Sequence, residues 1–137
     1  MKTADLIGHA LNWAVAQAEG DKVYRPCLGR PDNWDKAAYL ADGSDDRWVV
    51  RVQNPTLAYF VDWTYNPSGA WWQGGEIIER EKLEFREGLS GMYASYQGGQ
   101  TWFGTTHLIA AMRCYVASKL GDEVDVPEEL LTKGETA

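Results

Sequence analysis

The chain has 137 residues, the length of about one domain, and 45% of them are hydrophobic, which is enough apolar area for a core. Its 13 basic and 20 acidic residues give a formal net charge of −7, which disfavours bulk nucleic acid as a partner. Cys27 and Cys114 lie far apart in dissimilar contexts, so their spacing indicates neither a disulfide framework nor a metal pair. We therefore expect reduced thiols in a single domain over residues 1–137.

The first half of the chain is predicted to hold one amphipathic helix and several short strands. Apolar residues recur at helical spacing from residue 4 to 18, with Thr3 as the cap and Gly20 as the stop. Residues 23–24 fit a strand, and segment 25–46, rich in turn-forming residues, is predicted as loop with one helical turn at 35–41. Strand formers fill 47–52 and 57–64, although Pro55 leaves a helix over 55–63 as an alternative.

The second half is predicted to hold a hairpin followed by the clearest helix of the chain. We expect a loop over 67–75, strand at the two ends of 76–87, a turn at 88–91 and a strand over 92–97. A second loop over 98–104 leads to a helix over 107–120, with a threonine cap and Gly121 as its stop. Pro127 favours a short helix that docks Leu130, and residues 130–137 are expected to form a disordered tail.

No stretch of the chain predicts a leader or a membrane span. Polar residues interrupt the apolar positions of the first twenty residues, so no continuous signal-peptide core is present. No other stretch reaches the ~18 apolar residues that a span needs. We therefore expect no membrane partner.

An acidic cluster between residues 76 and 87 offers one route to catalysis. If this segment is a strand, Glu79 and Glu81 project from one face, about 7 Å apart, which suits a two-carboxylate hydrolase. Arg80, Lys82 and Arg86 alternate with them, which is equally typical of a solvated strand edge. No nucleophile, phosphate-loop or histidine–cysteine metal motif accompanies the cluster. The prediction is therefore a protein without a cofactor or metal that is not an enzyme.

Two loops that combine aromatic residues with glycines suggest a ligand pocket. Indole faces stack on nucleobases, and the N–H groups at a helix start bind phosphate. We predict that Trp71, Trp72 and Trp102 stack on a nucleotide-like ligand, that Thr105 and Thr106 take its phosphate, and that Arg113 adds a counter-charge. Gly74 and Gly75 would let the backbone approach the ligand. The alternative is structural, since tryptophans are commonly core or interface anchors and a Thr-Thr pair is commonly a helix cap.

Three blocks of the sequence carry a resemblance to a known family. They are residues 10–16 with the ending Glu19-Gly20, residues 72–81, and residues 108–124. In these blocks the chain resembles small proteins of tailed phages and prophages, the Nin-region X-like family. Residues 30–67 depart from the shorter members, which lack this region. The resemblance implies a viral origin and a location in the host bacterial cytoplasm, and it brings no catalytic residues to transfer.

These observations lead to one leading hypothesis and two alternatives. We expect an α+β protein with a mixed or antiparallel sheet of about four strands and two main helices, forming a homo-oligomer. By analogy with phage proteins that counter host defence, it would sequester a signalling nucleotide. The first alternative is an inhibitor or adaptor that binds a host protein through its exposed aromatic residues. The second is the carboxylate hydrolase.

Overall fold

Three helices and two small sheets form the part of the chain that the structure, a computed structural model, describes. The described residues are 1–20, 22–24, 37–40, 49–51, 63–127 and 130. Within them, no helix is long and apolar enough to cross a membrane.

Helix α1 spans Gly8–Ala18 and begins later than the sequence predicts. A short 3₁₀ turn at Thr3–Asp5 comes first, and Ile7 is the residue that precedes the helix. Thr3 is therefore not the helix cap: its side chain is fully buried and its hydroxyl donates to the carbonyl oxygen of Gly121 over 2.7 Å. Thr3 thus makes a long-range hydrogen bond to Gly121 instead of the capping hydrogen bond that its position before the predicted helix suggested.

A four-stranded sheet follows α1 and has the order β1-β3-β2-β4. Its strands are β1 (Lys22–Tyr24), β2 (Ala37–Leu40), β3 (Val49–Arg51) and β4 (Trp63–Tyr65). The pairing is antiparallel except between β2 and β4, which run parallel. The helical turn predicted at 35–41 is wrong, because β2 occupies most of it. The strand predicted over 57–64 overlaps β4 only at 63–64, and its residues 57–62 lie outside the described ranges, as do 55–62 of the alternative helix.

Helix α2 spans Trp71–Glu81 and was not predicted. The sequence indicated a loop over 67–75 and strand over parts of 76–87, so most of this region is assigned incorrectly. Gln73, Gly74 and Ile77 form the buried stripe of the helix, and the Gln73 side chain accepts a 2.6 Å hydrogen bond from the backbone of Asn66. These tertiary contacts stabilise a helix whose two glycines carry low helix propensity.

The second sheet is antiparallel, in the order β5-β6-β7. Its strands are β5 (Glu84–Glu87), β6 (Met92–Ser95) and β7 (Trp102–Gly104). The hairpin predicted between the first two is confirmed, with Gly88 N–H donating to the carbonyl oxygen of Gly91 over 2.8 Å in the turn. The loop predicted over 98–104 is correct only in its first part, since its last three residues form β7.

Helix α3 spans His107–Leu120, with the predicted bounds, and contacts β6, β7, α1 and α2. Thr106 is its cap, accepting a 3.1 Å hydrogen bond from the backbone N–H of Ile109. Because other elements pack on several sides of α3, many of its residues are buried. They are Leu108, Ala110, Ala111, Met112, Cys114, Tyr115 and Val116. Most of the chemistry described below lies along α3.

The first residues of the chain pair with the segment that follows α3. The amino group of Met1 donates to the carbonyl oxygen of Val124 over 3.0 Å, and Val124 N–H donates back over 2.9 Å. Thr3 N–H donates to the carbonyl oxygen of Asp122 over 2.7 Å. Leu130 is also buried, and residues 131–137 lie outside the described ranges.

The predicted α+β class is confirmed. The antiparallel sheet beneath α3 has three strands, slightly fewer than the expected four or so, and the mixed sheet β1-β3-β2-β4 has four. The helices number three among the described residues, because α2 joins the two that were predicted.

Candidate functional site

The start of α3 carries a cluster of aromatic rings contributed by three elements. The ring of His107, the first residue of α3, lies 5.1 Å from the ring of Phe85 on β5 and 6.1 Å from that of Trp71 on α2, measured between centroids. Trp72 follows Trp71 in the first turn of α2. We call Trp71, Trp72, Thr105, Thr106 and His107 the α3-start site.

Trp71 and Trp72 lie on the outer face of α2. Their neighbours Gln73, Gly74 and Ile77 take the inner face, which leaves the two indoles 58% and 51% exposed. Large apolar side chains exposed side by side are a common mark of a binding surface. The structure therefore places two of the three predicted stacking residues where a ligand or a partner can reach them.

Thr105 and Thr106 are exposed at the amino end of α3. Thr106 acts as the cap, so its side-chain oxygen is already used by Ile109 N–H. The amides of His107 and Leu108 lie at the positive end of the helix dipole, where an α-helix offers donors to an anion. The predicted phosphate-binding residues and Trp71 thus meet at one end of one helix.

The two predicted glycines are packing residues of α2. A Cβ atom on Gly74 would overlap the carbonyl oxygen of Pro67 and lie 2.6 Å from Cδ2 of Leu108. A Cβ atom on Gly75 would lie 3.3 Å from Cε3 of Trp71, so the indole rests against this glycine. Gly74 allows α2 to pack close to α3, and Gly75 provides the surface against which the Trp71 ring packs.

Arg113 reaches backbone rather than the α3-start site. Its Nε donates to the carbonyl oxygen of Leu6 over 2.8 Å, and one terminal nitrogen donates to that of Phe103 over 2.8 Å. Burial lowers the pKa of this guanidinium. Arg113 therefore joins the segment before α1 to strand β7, a contact that the sequence did not indicate.

Trp102 lies in a separate place. It lines an open cleft of about 200 Å³ together with Tyr96, Gln100, Cys114 and Ser118, among others. Ser118 lies about 16 Å along the helix from His107, since α-helical residues rise 1.5 Å each. The structure does not bring Trp102 together with Trp71, and the predicted site divides into the α3-start site and this Trp102 cleft.

A polar network that the sequence did not reveal joins the three helices at the other end of α3. Arg80 donates from its two terminal nitrogens to the two carboxylate oxygens of Glu19, over 3.1 and 2.6 Å, and from Nε to Glu81 over 3.1 Å. The Tyr115 hydroxyl donates to Glu19. Glu19 raises the pKa of Arg80 above its usual value, and burial together with the Glu19 bond raises that of Tyr115. Arg80 and Glu19 are 61 positions apart, so no local pattern predicts their contact.

The network continues to the wall of the Trp102 cleft. The Tyr96 hydroxyl donates to Glu81 over 2.7 Å and lies 3.1 Å from the Ser118 hydroxyl. Burial, helped by the bond to Glu81, raises the pKa of Tyr96 to about 12. Burial alone would raise the pKa of Glu81, but hydrogen bonds from Tyr96 and Arg80 hold it below its usual value.

The geometry expected for a two-carboxylate hydrolase is absent. Glu79 and Glu81 lie on helix α2, where residues two apart point about 160° away from each other, rather than on one face of a strand. Glu79 is exposed, whereas Glu81 is held by Arg80 and Tyr96. Over the described ranges, no group of three or more histidine, cysteine or acidic residues is placed to hold a metal ion.

Comparison with known proteins gives a family match. The family model described as Bacteriophage P22, NinX matches residues 2–119, which includes α1, α2, both sheets and nearly all of α3. A search of curated proteins gives no match. The matched range covers the α3-start site completely and the Trp102 cleft except for Asp122.

Proposed function

We propose that this phage accessory protein, which belongs to the Bacteriophage P22 NinX family, binds a small nucleotide-like ligand at its α3-start site. The observation that carries the proposal is the contact between Trp71 and His107. It joins an exposed indole to the amino end of α3, so a surface that stacks on a base lies beside donors suited to a phosphate.

The base-binding half of the site rests on Trp71 and Trp72. Both indoles are more than half exposed, and stacking of one base on an aromatic side chain contributes about 1–3 kcal/mol. Gly75 supports one side of the Trp71 ring, and the His107 ring lies 6.1 Å away. These contacts restrict the Trp71 ring before a ligand arrives, which reduces the entropy lost on binding.

The phosphate-binding half rests on the first turn of α3. The backbone N–H groups there point out of the helix, and the hydroxyls of Thr105 and Thr106 are exposed beside them. A chain with a net charge of −7 disfavours anions in general, so a local positive dipole is the feature that would attract one. The ligand is therefore a small nucleotide rather than a nucleic-acid strand.

In a phage accessory protein such a site suits sequestration of a host-defence signalling nucleotide. Sequestration requires tight binding without turnover, and we propose that the protein acts in this non-enzymatic way, as a homo-oligomer. The prediction specific to this role is that the ligand is released chemically unchanged when the protein is denatured.

The test is a thermal-shift screen against linear, cyclic and ADP-ribose-type nucleotides, with each compound recovered and analysed by mass spectrometry. A ligand at one hundred times its Kd adds about 2.7 kcal/mol of stability, which is easily detected. Trp71→Ala and Trp72→Ala should each weaken binding about tenfold or more, and both should fold because the side chains are largely exposed. Leu89→Ala, which truncates an exposed side chain in the β5–β6 turn, is the control.

Three results would contradict the proposal. One is the absence of any shift across the panel. Another is a nucleotide that binds Trp71→Ala and Trp72→Ala as tightly as the parent. The third is recovery of altered ligand, which would replace sequestration with catalysis.

The exposed indoles also support a second candidate function, binding of a host protein. Tryptophan is enriched among the residues that dominate protein–protein binding energy. In that case a host polypeptide co-purifies with the parent protein and is lost from the Trp71→Ala and Trp72→Ala variants, while no nucleotide causes a shift. Sedimentation of the same variants would show whether these residues instead join copies of the chain.

A further inference from the structure

The Trp102 cleft has a size and composition of its own, separate from the α3-start site. Its volume of about 200 Å³ is below the 300–1,000 Å³ that is typical for drug-sized ligands. It is also well above the 10–15 Å³ that a single water needs. The cleft therefore suits a molecule of a few heavy atoms.

The hydroxyl groups in the cleft wall donate their protons to groups that do not line the cleft. Tyr96 donates to Glu81 over 2.7 Å, and Ser118 donates to the carbonyl oxygen of Tyr115 over 2.6 Å. The two hydroxyl oxygens lie 3.1 Å apart, and each retains lone pairs. This part of the wall consequently accepts hydrogen bonds and favours a ligand that donates them.

The charge around the cleft favours a positively charged ligand. Asp122 lines the cleft and supplies its negative charge, since the Glu81 carboxylate behind Tyr96 is already paired with Arg80. Arg80 is held by Glu19 and Glu81 and does not line the cleft. Trp102 adds an apolar ring, on which an alkyl group can pack.

We propose that the Trp102 cleft binds a small organic cation, an alkylamine or alkylguanidinium. The charged group donates hydrogen bonds to the Tyr96 and Ser118 oxygens and is balanced by Asp122. The alkyl part of the ligand packs on Trp102.

The alkylation rate of the Cys114 thiol reports whether a ligand occupies the Trp102 cleft. Its thiol lies in the cleft wall among buried atoms, and burial raises its pKa to about 11. The thiol is therefore protonated near neutral pH and is alkylated slowly, and a bound ligand would slow the reaction further. Peptide mapping separates its modification from that of Cys27.

The experiment titrates the full chain with n-butylamine and butylguanidine, with n-butanol as the uncharged match and butyrate as the anion. Binding is followed by the NMR signal of the Trp102 indole N–H and by the alkylation rate of Cys114. We expect saturable shifts and slower alkylation with the two cations, and neither effect with butanol or butyrate.

The decisive variant is Asp122→Asn, and Glu123→Gln is its control. Both remove one negative charge from adjacent exposed residues, so long-range electrostatics change equally, but Glu123 does not line the cleft. Asp122→Asn should weaken cation binding at least tenfold, and Glu123→Gln less than twofold. Equal binding by the two variants, equal effects of butanol and the cations, or no saturable shift with either cation would overturn the proposal. Trp71→Ala should leave cation binding unchanged, which separates this outcome from that of the nucleotide site.

Discussion

Gly74 lies against the carbonyl oxygen of Pro67 so closely that the backbone leaves no room for a methyl group. The same glycine faces Leu108, and its position therefore fixes how closely α2 approaches α3. A glycine in mid-helix lowers helix stability by about 1 kcal/mol relative to alanine, and the close packing against Pro67 and Leu108 offsets that cost.

Gly74→Ala should destabilise the protein by about 2 kcal/mol or more, because overpacking against backbone exceeds the gain in helix propensity. Gly75→Ala is the matched variant, since its methyl group would meet only side-chain atoms of Trp71, which need to shift by a few tenths of an ångström. It should be neutral or stabilising by up to about 1 kcal/mol. Urea unfolding of both variants measures the difference, and equal stabilities would contradict this account.

Arg113→Met should cost about 3 kcal/mol of stability. The substitution removes two charge-assisted hydrogen bonds and leaves the carbonyl oxygens of Leu6 and Phe103 without their donor. Arg113→Lys should recover only part of the loss, because a lysine cannot span both oxygens as the guanidinium does. Urea unfolding measures the cost. A ligand that binds the lysine variant as tightly as the parent would show that Arg113 is structural.

Arg80 and Glu19 should show a coupling free energy of about 1 kcal/mol in a double-mutant cycle with Arg80→Met and Glu19→Gln. The pair is bidentate, which strengthens it, but the Arg80 side chain is 42% exposed, which allows solvent to screen it. The coupling should fall at high salt. Additive effects of the two substitutions would mean that the contact contributes nothing to stability.

Tyr96 should make the protein less stable as the pH rises above 10. Its pKa is about 12 in the folded protein against 10.0 ordinarily, so the unfolded chain loses this proton first. The stability that Tyr96 contributes is therefore complete below pH 10 and is lost between about pH 10 and 12. Tyr96→Phe should flatten this part of the curve, as measured by urea midpoints at successive pH values. A curve parallel to that of the parent would contradict the prediction.

Local pattern was sufficient for α3 and insufficient for α2. Helix α3 has apolar spacing, a threonine cap and a terminal glycine, all of which agree with its tertiary position. In α2 the paired glycines and the alternating charges indicated loop and strand. Contacts with Pro67, Leu108 and Asn66 decide that region, and these contacts are not visible in the local sequence.

Only part of the candidate site was predictable from the sequence. Trp71 and the threonines could be associated with a helix start from sequence, but the distance between Trp102 and that start depends on how β7 lies along α3. The Arg80–Glu19 pair joins residues on two helices, one of which was not recognised. The threonine cap at the start of α3 was therefore predictable from local sequence, whereas the contact between Arg80 of α2 and Glu19 at the end of α1 was not.

The pairing of Met1 and Thr3 with residues 121–124 has a consequence for synthesis. These contacts join residues more than one hundred positions apart, so the ribosome makes the second partner of each pair well after the first. Thr3 and Leu6 are fully buried in the finished fold, so they lack their partners until α3 and the segment after it have been released. Folding of this core is thus completed only after α3 and the segment that follows it have been translated, and a nascent chain halted before α3 would expose the apolar face of α1.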